Sequence, residues 1–323
     1  MDDRSIIVTG GCGFIGTHII LELNRLGFDR NIIIVDDFQE STKWKNIRGL
    51  KYGDFLSRYE LFEWLQDRPD EVKAIVHMGA NSSTIGTDGD EYYEMNYRYT
   101  IELAKYAMEH GIRFIYASSA ATYGDGSEGF SDNLETIDLL RPLNLYGQSK
   151  QMADQWMVRN DAIDEVVGLK FFNVYGPYEG HKERMASMVY HMYNQIKKEN
   201  KVKLFQSNSP QFKNGDQQRD FIYVKDVAQI TCAFLFNDIC GIFNVGTGKP
   251  RTFNDMAKAI FKSLKIKPNI EYIPMPEDLS KNYQNYTCAE IGKLASLMKL
   301  PDTSLEEGLG EYIEEYLVKG EGC

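Results

Sequence analysis

Short apolar runs alternate with amphipathic stretches along the first half of the chain. Four of these runs have the length of buried strands: Ser5–Thr9, Ile32–Val35, Ala74–His77 and Phe114–Ala117. Helical periodicity runs from Phe14 to about Leu26, and a longer helical pattern runs from Glu91 to His110. Strands that alternate with helices predict an α/β fold with a doubly wound parallel sheet, in which ligands bind beyond the carboxyl ends of the strands.

The C-terminal third has a more mixed pattern. Its predicted elements are a helix-rich run from Met185 to Lys198, paired strands near Ile270 and Tyr286, and an amphipathic closing helix from Leu305 to about Leu317. We expect segments between Val224 and Val245 to return to the sheet. These elements predict a smaller α/β lobe beside the sheet, with no clean linker between the two.

A glycine-rich turn links the first strand to the first helix. Gly10 permits a tight bend, Gly13 lets the backbone approach a pyrophosphate, and Gly16 lets the helix pack on the strand. The N-terminus of the helix then faces negative charge. Asp36 ends the second predicted strand, about 20 residues after Gly16, where a ribose-binding acid belongs. The pattern predicts dinucleotide binding, because a purely structural glycine turn would leave Asp36 unexplained.

The residues around Asp36 leave the choice between NAD and NADP open. Asp36 and Asp37 favour a free ribose hydroxyl and repel a 2′-phosphate. Lys43 and Arg58 follow closely, and either could neutralise that phosphate or be a solvated surface charge.

Composition and charge exclude several classes of protein. With 323 residues, 43% of them hydrophobic, the chain can bury a full core. A net charge of -11 argues against a nucleic-acid partner, which would need a basic stripe. No apolar run has the length of about 18 residues that a membrane span needs, and the first residues are acidic, unlike a secretory signal. We therefore expect a cytoplasmic protein without a membrane partner.

The cysteines and histidines show no metal-ligand spacing. The five cysteines, Cys12, Cys232, Cys240, Cys288 and Cys323, are widely separated and contain no Cys-x-x-Cys pair. We interpret them as packing thiols, and we expect neither a disulfide framework nor a metal site.

The segment Tyr146-Gly147-Gln148-Ser149-Lys150 contains the candidate acid/base pair. A helix places Tyr146 and Lys150 on one face, and an ammonium there can lower the pKa of the phenol from about 10. The phenol could then take a proton from a sugar hydroxyl. Such a pair is weak evidence alone, because it often occurs by chance on solvated helices. Ser118 and Ser119 follow a predicted strand, where a serine either caps the next turn or binds the reacting oxygen.

Together these motifs resemble one family. The glycine turn, the segment from Ala117 to Gly124 around Ser119, and the Tyr146-x-x-x-Lys150 pair are similar to those of extended short-chain dehydrogenase/reductases that modify nucleotide-activated sugars. The resemblance continues through Phe171–Pro177, Arg219–Val227 and Phe243–Gly248. Residues 1–175, joined by 220–248, are then expected to form the dinucleotide-binding domain, and residues 176–323 the nucleotide-sugar lobe. The family also implies a homo-oligomer.

The segment Glu179-Gly180-His181-Lys182-x-x-Met185-Ala186-Ser187 is similar to one that marks ADP-L-glycero-D-manno-heptose 6-epimerases. In that family the lysine lies opposite the tyrosine, so that the sugar can be reduced from either face. The resemblance implies catalysis by Tyr146, Lys150, Lys182 and Ser119. Lys150 would hold the nicotinamide ribose and Ser119 would orient the oxygen, while Lys182 without the resemblance could be a phosphate-binding or surface lysine.

The resemblance also implies the remaining contacts. The complete predicted cofactor site is Gly10, Gly13, Phe14, Ile15, Gly16, Asp36, Asp37, Lys43, Arg58, Met78, Gly79, Ala80, Asn81, Asn96, Tyr146, Lys150, Val174 and Lys182. The predicted substrate site is Ser119, Asn173, Arg184, His191, Phe205, Arg219 and Tyr283. Lys43 and Arg58 fall where these epimerases place cations that accept NADP, so the resemblance favours NADP, with NAD as the alternative.

Other reactions of the superfamily fit the sequence less well. The 4,6-dehydratases have Thr-Asp-Glu where this chain has Ser119-Ala120-Ala121, so water elimination would lack its proton donor. A 4-epimerase or reductase of another nucleotide sugar remains an alternative, because the chain departs from the 6-epimerases at Tyr178, at Glu183-Arg184 and in the longer loop 207–218. A non-catalytic dinucleotide sensor is disfavoured, since all four catalytic residues are present.

Overall fold

The structure, a computed structural model, describes residues 3–39, 41–277 and 283–320. In these ranges the strands β1 to β13 are Ser5–Thr9, Ile32–Val35, Asp54–Leu56, Val72–His77, Arg113–Ser119, Val166–Phe171, Asn173–Tyr175, Val202–Phe205, Gln218–Arg219, Phe221–Tyr223, Gly241–Val245, Arg251–Thr252 and Ile270–Ile273. The helices α1 to α10 are Phe14–Arg25, Leu61–Gln66, Gly89–Tyr92, Tyr99–Glu109, Leu145–Arg159, Met188–Glu199, Val224–Ala233, Phe253–Ser263, Gly292–Leu297 and Leu305–Glu311.

Seven parallel strands form the central sheet, in the order β11-β6-β5-β4-β1-β2-β3. The chain builds outward from β1 on one side and then crosses to β4 on the other, so the strand order reverses between β1 and β4. In such sheets the ligand crevice opens beyond the carboxyl ends of the strands at this point. The predicted doubly wound fold is confirmed, and the four predicted strands coincide with β1 and β2 or lie within β4 and β5.

Alternating side chains of the sheet build two hydrophobic layers. Ile6 and Val8 of β1 pack in a cluster with residues of α1 and α7. Ile7 points to the opposite face, where it joins a cluster with α2, α4 and α5. Because helices cover both faces, these strands are apolar throughout instead of alternating with polar residues. The layers fix the positions of the loops that follow β1, β4 and β5.

A third cluster forms beside the sheet, from residues of α6, α8, α10 and β8. The closing helix was predicted as one element and is found as α10 followed by a π-helical turn at Tyr312–Leu317. The predicted pairing near Tyr286 is wrong: β13 pairs with β8, and Tyr286 lies in an irregular segment. β11 pairs with β6, so the chain does return to the sheet. The division into two domains remains a prediction.

No helix in the described part of the chain is long and apolar enough to cross a membrane. The cysteines Cys12 and Cys232 are buried, as expected for packing thiols, whereas Cys240 and Cys288 are partly exposed. Cys323 lies outside the described residues.

Candidate active site

One cleft of about 1,560 Å³ runs from the carboxyl ends of the central strands into the C-terminal lobe. Of the predicted site residues, all except Asn96 line it: Gly10, Gly13, Phe14, Ile15, Gly16, Asp36, Asp37, Lys43, Arg58, Met78, Gly79, Ala80, Asn81, Ser119, Tyr146, Lys150, Asn173, Val174, Lys182, Arg184, His191, Phe205, Arg219 and Tyr283. Residues that are far apart in the sequence are therefore brought together, as a shared site requires.

The glycine turn is packed too tightly for larger residues. Gly10 has a φ of +65°, and a Cβ atom built on it would lie 2.7 Å from the backbone nitrogen of Gly79. A Cβ atom on Gly16 would lie 2.2 Å from the carbonyl oxygen of Gly10. α1 begins just after Gly13, which caps it without a side-chain hydrogen bond. The first amide groups of the helix are thus directed at the cleft, a geometry that fits the pyrophosphate of a dinucleotide.

Two aspartates and two cations line the end of the cleft that was predicted to bind the ribose. Asp36 accepts a hydrogen bond from the amide of Cys12 at 2.8 Å and one from Lys43 Nζ at 2.6 Å. Arg58 forms an ion pair with Asp37, with Nε and Oδ2 2.5 Å apart. Each cation predicted to neutralise a phosphate is therefore already matched by a carboxylate.

Asn96 departs from the prediction of a direct cofactor contact. It is fully buried, and its side chain accepts from the amide of Asn81 at 2.8 Å and donates to the carbonyl of Asn81 at 2.9 Å. It also donates to Ser149 Oγ at 3.0 Å. Asn96 therefore holds the turn that contains Asn81, and it lies behind the wall of the cleft, in the π-helical turn Tyr93–Arg98 beside α5.

Ser119, Tyr146 and Lys150 meet where β5 ends and α5 begins. Asn144 caps α5 by accepting from the amide of Gly147 at 2.8 Å, which places Tyr146 in the first turn and Lys150 in the second. Ser119 Oγ accepts from the amide of Ala121 at 3.1 Å, and the Ser119 hydroxyl is near enough to the phenol to lower the pKa of Tyr146. A hydroxyl in this position can orient a reacting oxygen toward the phenol.

The pKa values at this group correct one expectation. Burial raises the pKa of Tyr146, which was expected to be lowered; the Ser119 hydroxyl lowers it and the Asp154 carboxylate raises it further. Burial also lowers the pKa of Lys150 to about 8, while the nearby carboxylate of Asp154 opposes this change. Lys150 is consequently still mostly charged at neutral pH.

Lys182 comes from a loop, in the 3₁₀ turn Gly180–Met185. Its ammonium lies 5.5 Å from the centre of the Phe14 ring, at the start of α1. Burial lowers the pKa of Lys182, and Glu179 opposes that change. A lysine with a lowered pKa reaches its neutral, basic form more readily, which suits a proton-transferring role.

Two residues hold this loop in place, and the sequence patterns had assigned neither of them a separate role. Glu179 is fully buried and accepts from both the amide and the hydroxyl of Ser187, at 2.5 and 2.7 Å. Asn46 donates to the carbonyl oxygens of Cys12, at 3.0 Å, and of Tyr178, at 3.2 Å. Glu179 thus links two parts of the loop to each other, and Asn46 links the loop to the glycine turn. Glu179 begins the segment that is similar to one in heptose 6-epimerases, whereas no sequence pattern singled out Asn46.

The substrate end of the cleft is aromatic around one cation. The guanidinium of Arg219 lies 5.7 Å from the ring centre of Phe253 and 5.2 Å from that of Tyr283. Burial lowers the pKa of Arg219. Phe205 makes an edge contact with Tyr283. Rings around a planar cation leave its edge available to bind a diphosphate.

The loop 207–218 reaches this end of the cleft. Gly215 donates its amide to the carbonyl of Phe205 at 3.1 Å, and both Gly215 and Gln217 line the cleft. Nearby, His191 Nε2 lies 3.3 Å from the carbonyl oxygen of Arg184. No cluster of three or more potential metal ligands occurs among residues 3–39, 41–277 and 283–320.

The parallel sheet, the glycine turn with its aspartate, and the Ser119, Tyr146 and Lys150 group define a Rossmann-type enzyme that uses a nicotinamide dinucleotide. Comparison with known proteins narrows this class. The chain belongs to the NAD dependent epimerase/dehydratase family, whose sequence model matches residues 6–246.

Individual relatives are similar over nearly the whole chain. The ADP-L-glycero-D-manno-heptose-6-epimerase of Nitratidesulfovibrio vulgaris strain Hildenborough is 47% identical over 315 residues, which are 96% of this chain and 97% of that one. The crystal structure of the Helicobacter pylori enzyme of the same name has a TM-score of 0.81 at 27% identity, over 97% and 96% of the two chains. A Methanobrevibacter ruminantium UDP-N-acetylglucosamine 4-epimerase also has a TM-score of 0.81, at 22% identity over 99% and 100% of the chains. The fold is therefore common to enzymes of different specificity.

Proposed function

We propose that the protein inverts C6 of ADP-D-glycero-D-manno-heptose, giving ADP-L-glycero-D-manno-heptose through a transient 6-keto sugar. One observation carries the proposal: Tyr146 and Lys182, two proton-transferring groups from separate elements, line the same cleft. An epimerase needs two such groups if the planar ketone is to be reduced from either face. The 47% identity to a heptose 6-epimerase supports the choice of sugar.

In this mechanism each residue has a separate task. Tyr146 or Lys182 removes the proton of the C6 hydroxyl, and after the ketone presents its other face the opposite group returns a proton. Ser119 orients the oxygen through its hydroxyl. Lys150, mostly charged at neutral pH, stabilises the phenolate and binds the nicotinamide ribose. The bound cofactor supplies the hydride chemistry and is not consumed.

The substrate contacts follow the same residues. Arg219 is proposed to bind the diphosphate, because its guanidinium is held between two rings and can bind phosphate oxygens in a bidentate manner. Phe205, Tyr283 and the nearby loop 207–218 would enclose the nucleotide. Asn173, Arg184 and His191 line the cleft between this end and the catalytic group and are proposed to contact the sugar.

The cofactor is proposed to be NAD, although the sequence resemblance favours NADP. Lys43 and Arg58 are engaged by Asp36 and Asp37, so a 2′-phosphate would have to displace carboxylates from both cations. The family is also described as NAD dependent. The mass of the nucleotide that co-purifies with the protein, and the affinities for NADH and NADPH, test this. Tighter binding of NADPH would reverse the assignment.

A direct assay tests the function. Purified protein incubated with ADP-D-glycero-D-manno-heptose, without added cofactor, should invert C6, which is followed by NMR. UDP-glucose and UDP-N-acetylglucosamine are the comparison substrates, because a 4-epimerase is the alternative. Turnover of these hexoses without heptose inversion would replace the 6-epimerase with a 4-epimerase.

A homo-oligomer and the division into residues 1–175 with 220–248 and residues 176–323 are further parts of the proposal. Analytical ultracentrifugation tests the first, and limited proteolysis between the two units tests the second.

A further inference from the structure

A buried ion pair lies behind the catalytic group. Lys170 in β6 and Asp154 in α5 are 2% and 0% exposed, and Nζ and Oδ2 are 2.6 Å apart. Neither residue lines the cleft. Burying two charges is costly, and an ion pair of this kind often adds little to stability compared with apolar residues of similar size. Its presence here therefore calls for a role other than stability.

The carboxylate of Asp154 joins the two elements that carry Ser119, Tyr146 and Lys150. Tyr116 and Ser118 of β5 donate to its oxygens at 2.8 and 2.6 Å, and Ser118 immediately precedes Ser119. Asp154 itself is on α5, one turn after Lys150 and two turns after Tyr146. The end of β5 is thus fixed to the helix that presents the phenol and the ammonium.

Lys170 extends the network to the other side of Ser119. Its ammonium donates to Thr122 Oγ1 at 2.7 Å, and the Thr122 hydroxyl donates to the carbonyl of Ser119 at 2.8 Å. Every polar group in this hydrogen-bonded network is buried and has a partner, so a shift of one member would move the others. Ser119 is consequently held from both sides by one polar network.

We propose that Asp154, held in place by Lys170, is a positioning residue that ties the end of β5 at Ser119 to the helix that carries Tyr146 and Lys150. Such a role had no counterpart in the sequence patterns, although Asp154 follows Lys150 by one helical turn and Lys170 interrupts an otherwise apolar strand. The inference rests on the proposed function, because it assumes that Ser119, Tyr146 and Lys150 are catalytic.

The charged neighbours set the direction of the pH effect. The titratable groups that act on or adjoin Lys150 are Asp154 and Tyr146 from its own helix and His77 from β4. Burial lowers the pKa of Lys150 to about 8, and Asp154 raises it. Removing the carboxylate therefore lowers this pKa further. Activity that needs the ammonium is lost as pH rises through the pKa, so the alkaline limb of the pH profile must move to lower pH.

The test compares Asp154→Asn alone with the double variant Asp154→Asn, Lys170→Met. The single change leaves a buried ammonium without its partner and can prevent folding, whereas the double change removes both charges. In the double variant, which loses the Lys170 cation together with the carboxylate, we expect kcat for epimerisation to fall about tenfold at neutral pH and KM to change little. In Asp154→Asn alone, where the carboxylate is lost and the cation stays, the alkaline limb should also move down by about one unit. Asp226→Asn is the matched control: Asp226 is also buried and accepts from Thr303, but it lies on α7 outside the cleft. Asp226→Asn should lower Tm without moving the alkaline limb of the pH profile.

A second readout separates this inference from the proposed function. The pH dependence of NADH binding, followed by nicotinamide fluorescence, needs no sugar and should show the same downward displacement. If the wild type binds NADH but inverts no heptose, the proposed function fails and the binding profile still tests Asp154. A folded double variant with unchanged kcat, or a folded Asp154→Asn variant with unchanged alkaline limbs in binding and turnover, would overturn the inference.

Discussion

The two proposed proton-transferring groups are held by different kinds of structure. Tyr146 is part of a 15-residue helix that is fixed to the central sheet by a buried ion pair and four associated hydrogen-bonding residues. Lys182 is part of a short 3₁₀ turn, and Tyr178 and Glu183 in its loop have positive φ values of 68° and 49°. Regular secondary structure thus positions Tyr146, while side-chain hydrogen bonds position Lys182.

This difference has an energetic consequence. Residues other than glycine in the left-handed region cost about 1–3 kcal/mol each, and a hydrogen bond contributes about 1 kcal/mol net. The bonds from Glu179 and Asn46 therefore do little more than offset the strain of the loop. We infer that the loop carrying Lys182 unfolds locally more easily than the helix carrying Tyr146.

The largest expected effect comes from removing each group in turn. Tyr146→Phe and Lys182→Met should each lower kcat for epimerisation by about 10²- to 10⁴-fold, because each removes one proton-transferring group. Each single variant should still oxidise the one sugar epimer that its remaining group serves. Nicotinamide absorbance, measured with each epimer separately, checks this.

The controls for this pair are Tyr59→Phe and Lys197→Met, which change the same residue types at exposed positions outside the cleft. Both should have normal turnover. Normal turnover by the combined Tyr146→Phe, Lys182→Met variant would exclude catalysis by two opposed groups.

A smaller effect is expected from the loop anchor. Glu179→Ala removes the acceptor for both bonds from Ser187, and we expect the half-reaction served by Lys182 to slow by about 10- to 100-fold through misplacement. The half-reaction served by Tyr146 should be nearly unchanged. Single-turnover kinetics with the two epimers measure the difference.

Glu179→Gln retains an acceptor and should fall between Glu179→Ala and the wild type, while Glu63→Ala on the exposed face of α2 is the control. Equal losses in both half-reactions would show that Glu179 supports the whole fold and not one side of the cleft.

The smallest effect concerns acid pH. Burial lowers the pKa of His181, beside Lys182, to about 4, and that of His77, in the sheet, to about 3. Both values lie below the unfolded value of about 6.5, so the stability that depends on neutral imidazole is complete above about pH 6.5 and is lost as pH falls. At pH 5 the loss is about 2 kcal/mol for each histidine.

Hydrogen exchange should show where this loss matters. Because the loop 176–187 starts from a smaller opening free energy than the sheet, its exchange at pH 5, corrected for the intrinsic rate, should accelerate by about 30-fold while β4 stays protected. His181→Gln should remove most of the acceleration. Equal acceleration in β4 would contradict the proposed difference between the two sides.

The sequence by itself determined the sheet and much of the cleft lining. Continuous apolar runs could only be strands covered on both faces, and the glycines, Asp36 and the Tyr146–Lys150 spacing each have a local physical cause that does not depend on distant residues. The resemblance to a known family added the residues of the C-terminal lobe, which no periodicity would have selected. The prediction of a strand near Tyr286 was wrong, because an irregular segment has no hydrophobic periodicity by which it can be identified.

Only the tertiary structure decided how these residues are held and charged. Asn96 supports Asn81 instead of lining the cleft, Lys43 and Arg58 are paired with aspartates, and burial raises the pKa of Tyr146. Asp154 and Lys170, 16 residues apart in the chain, meet because α5 packs against β5 and β6. Hydrogen-bond partners and desolvation depend on which elements pack together, and that is a property of the whole fold.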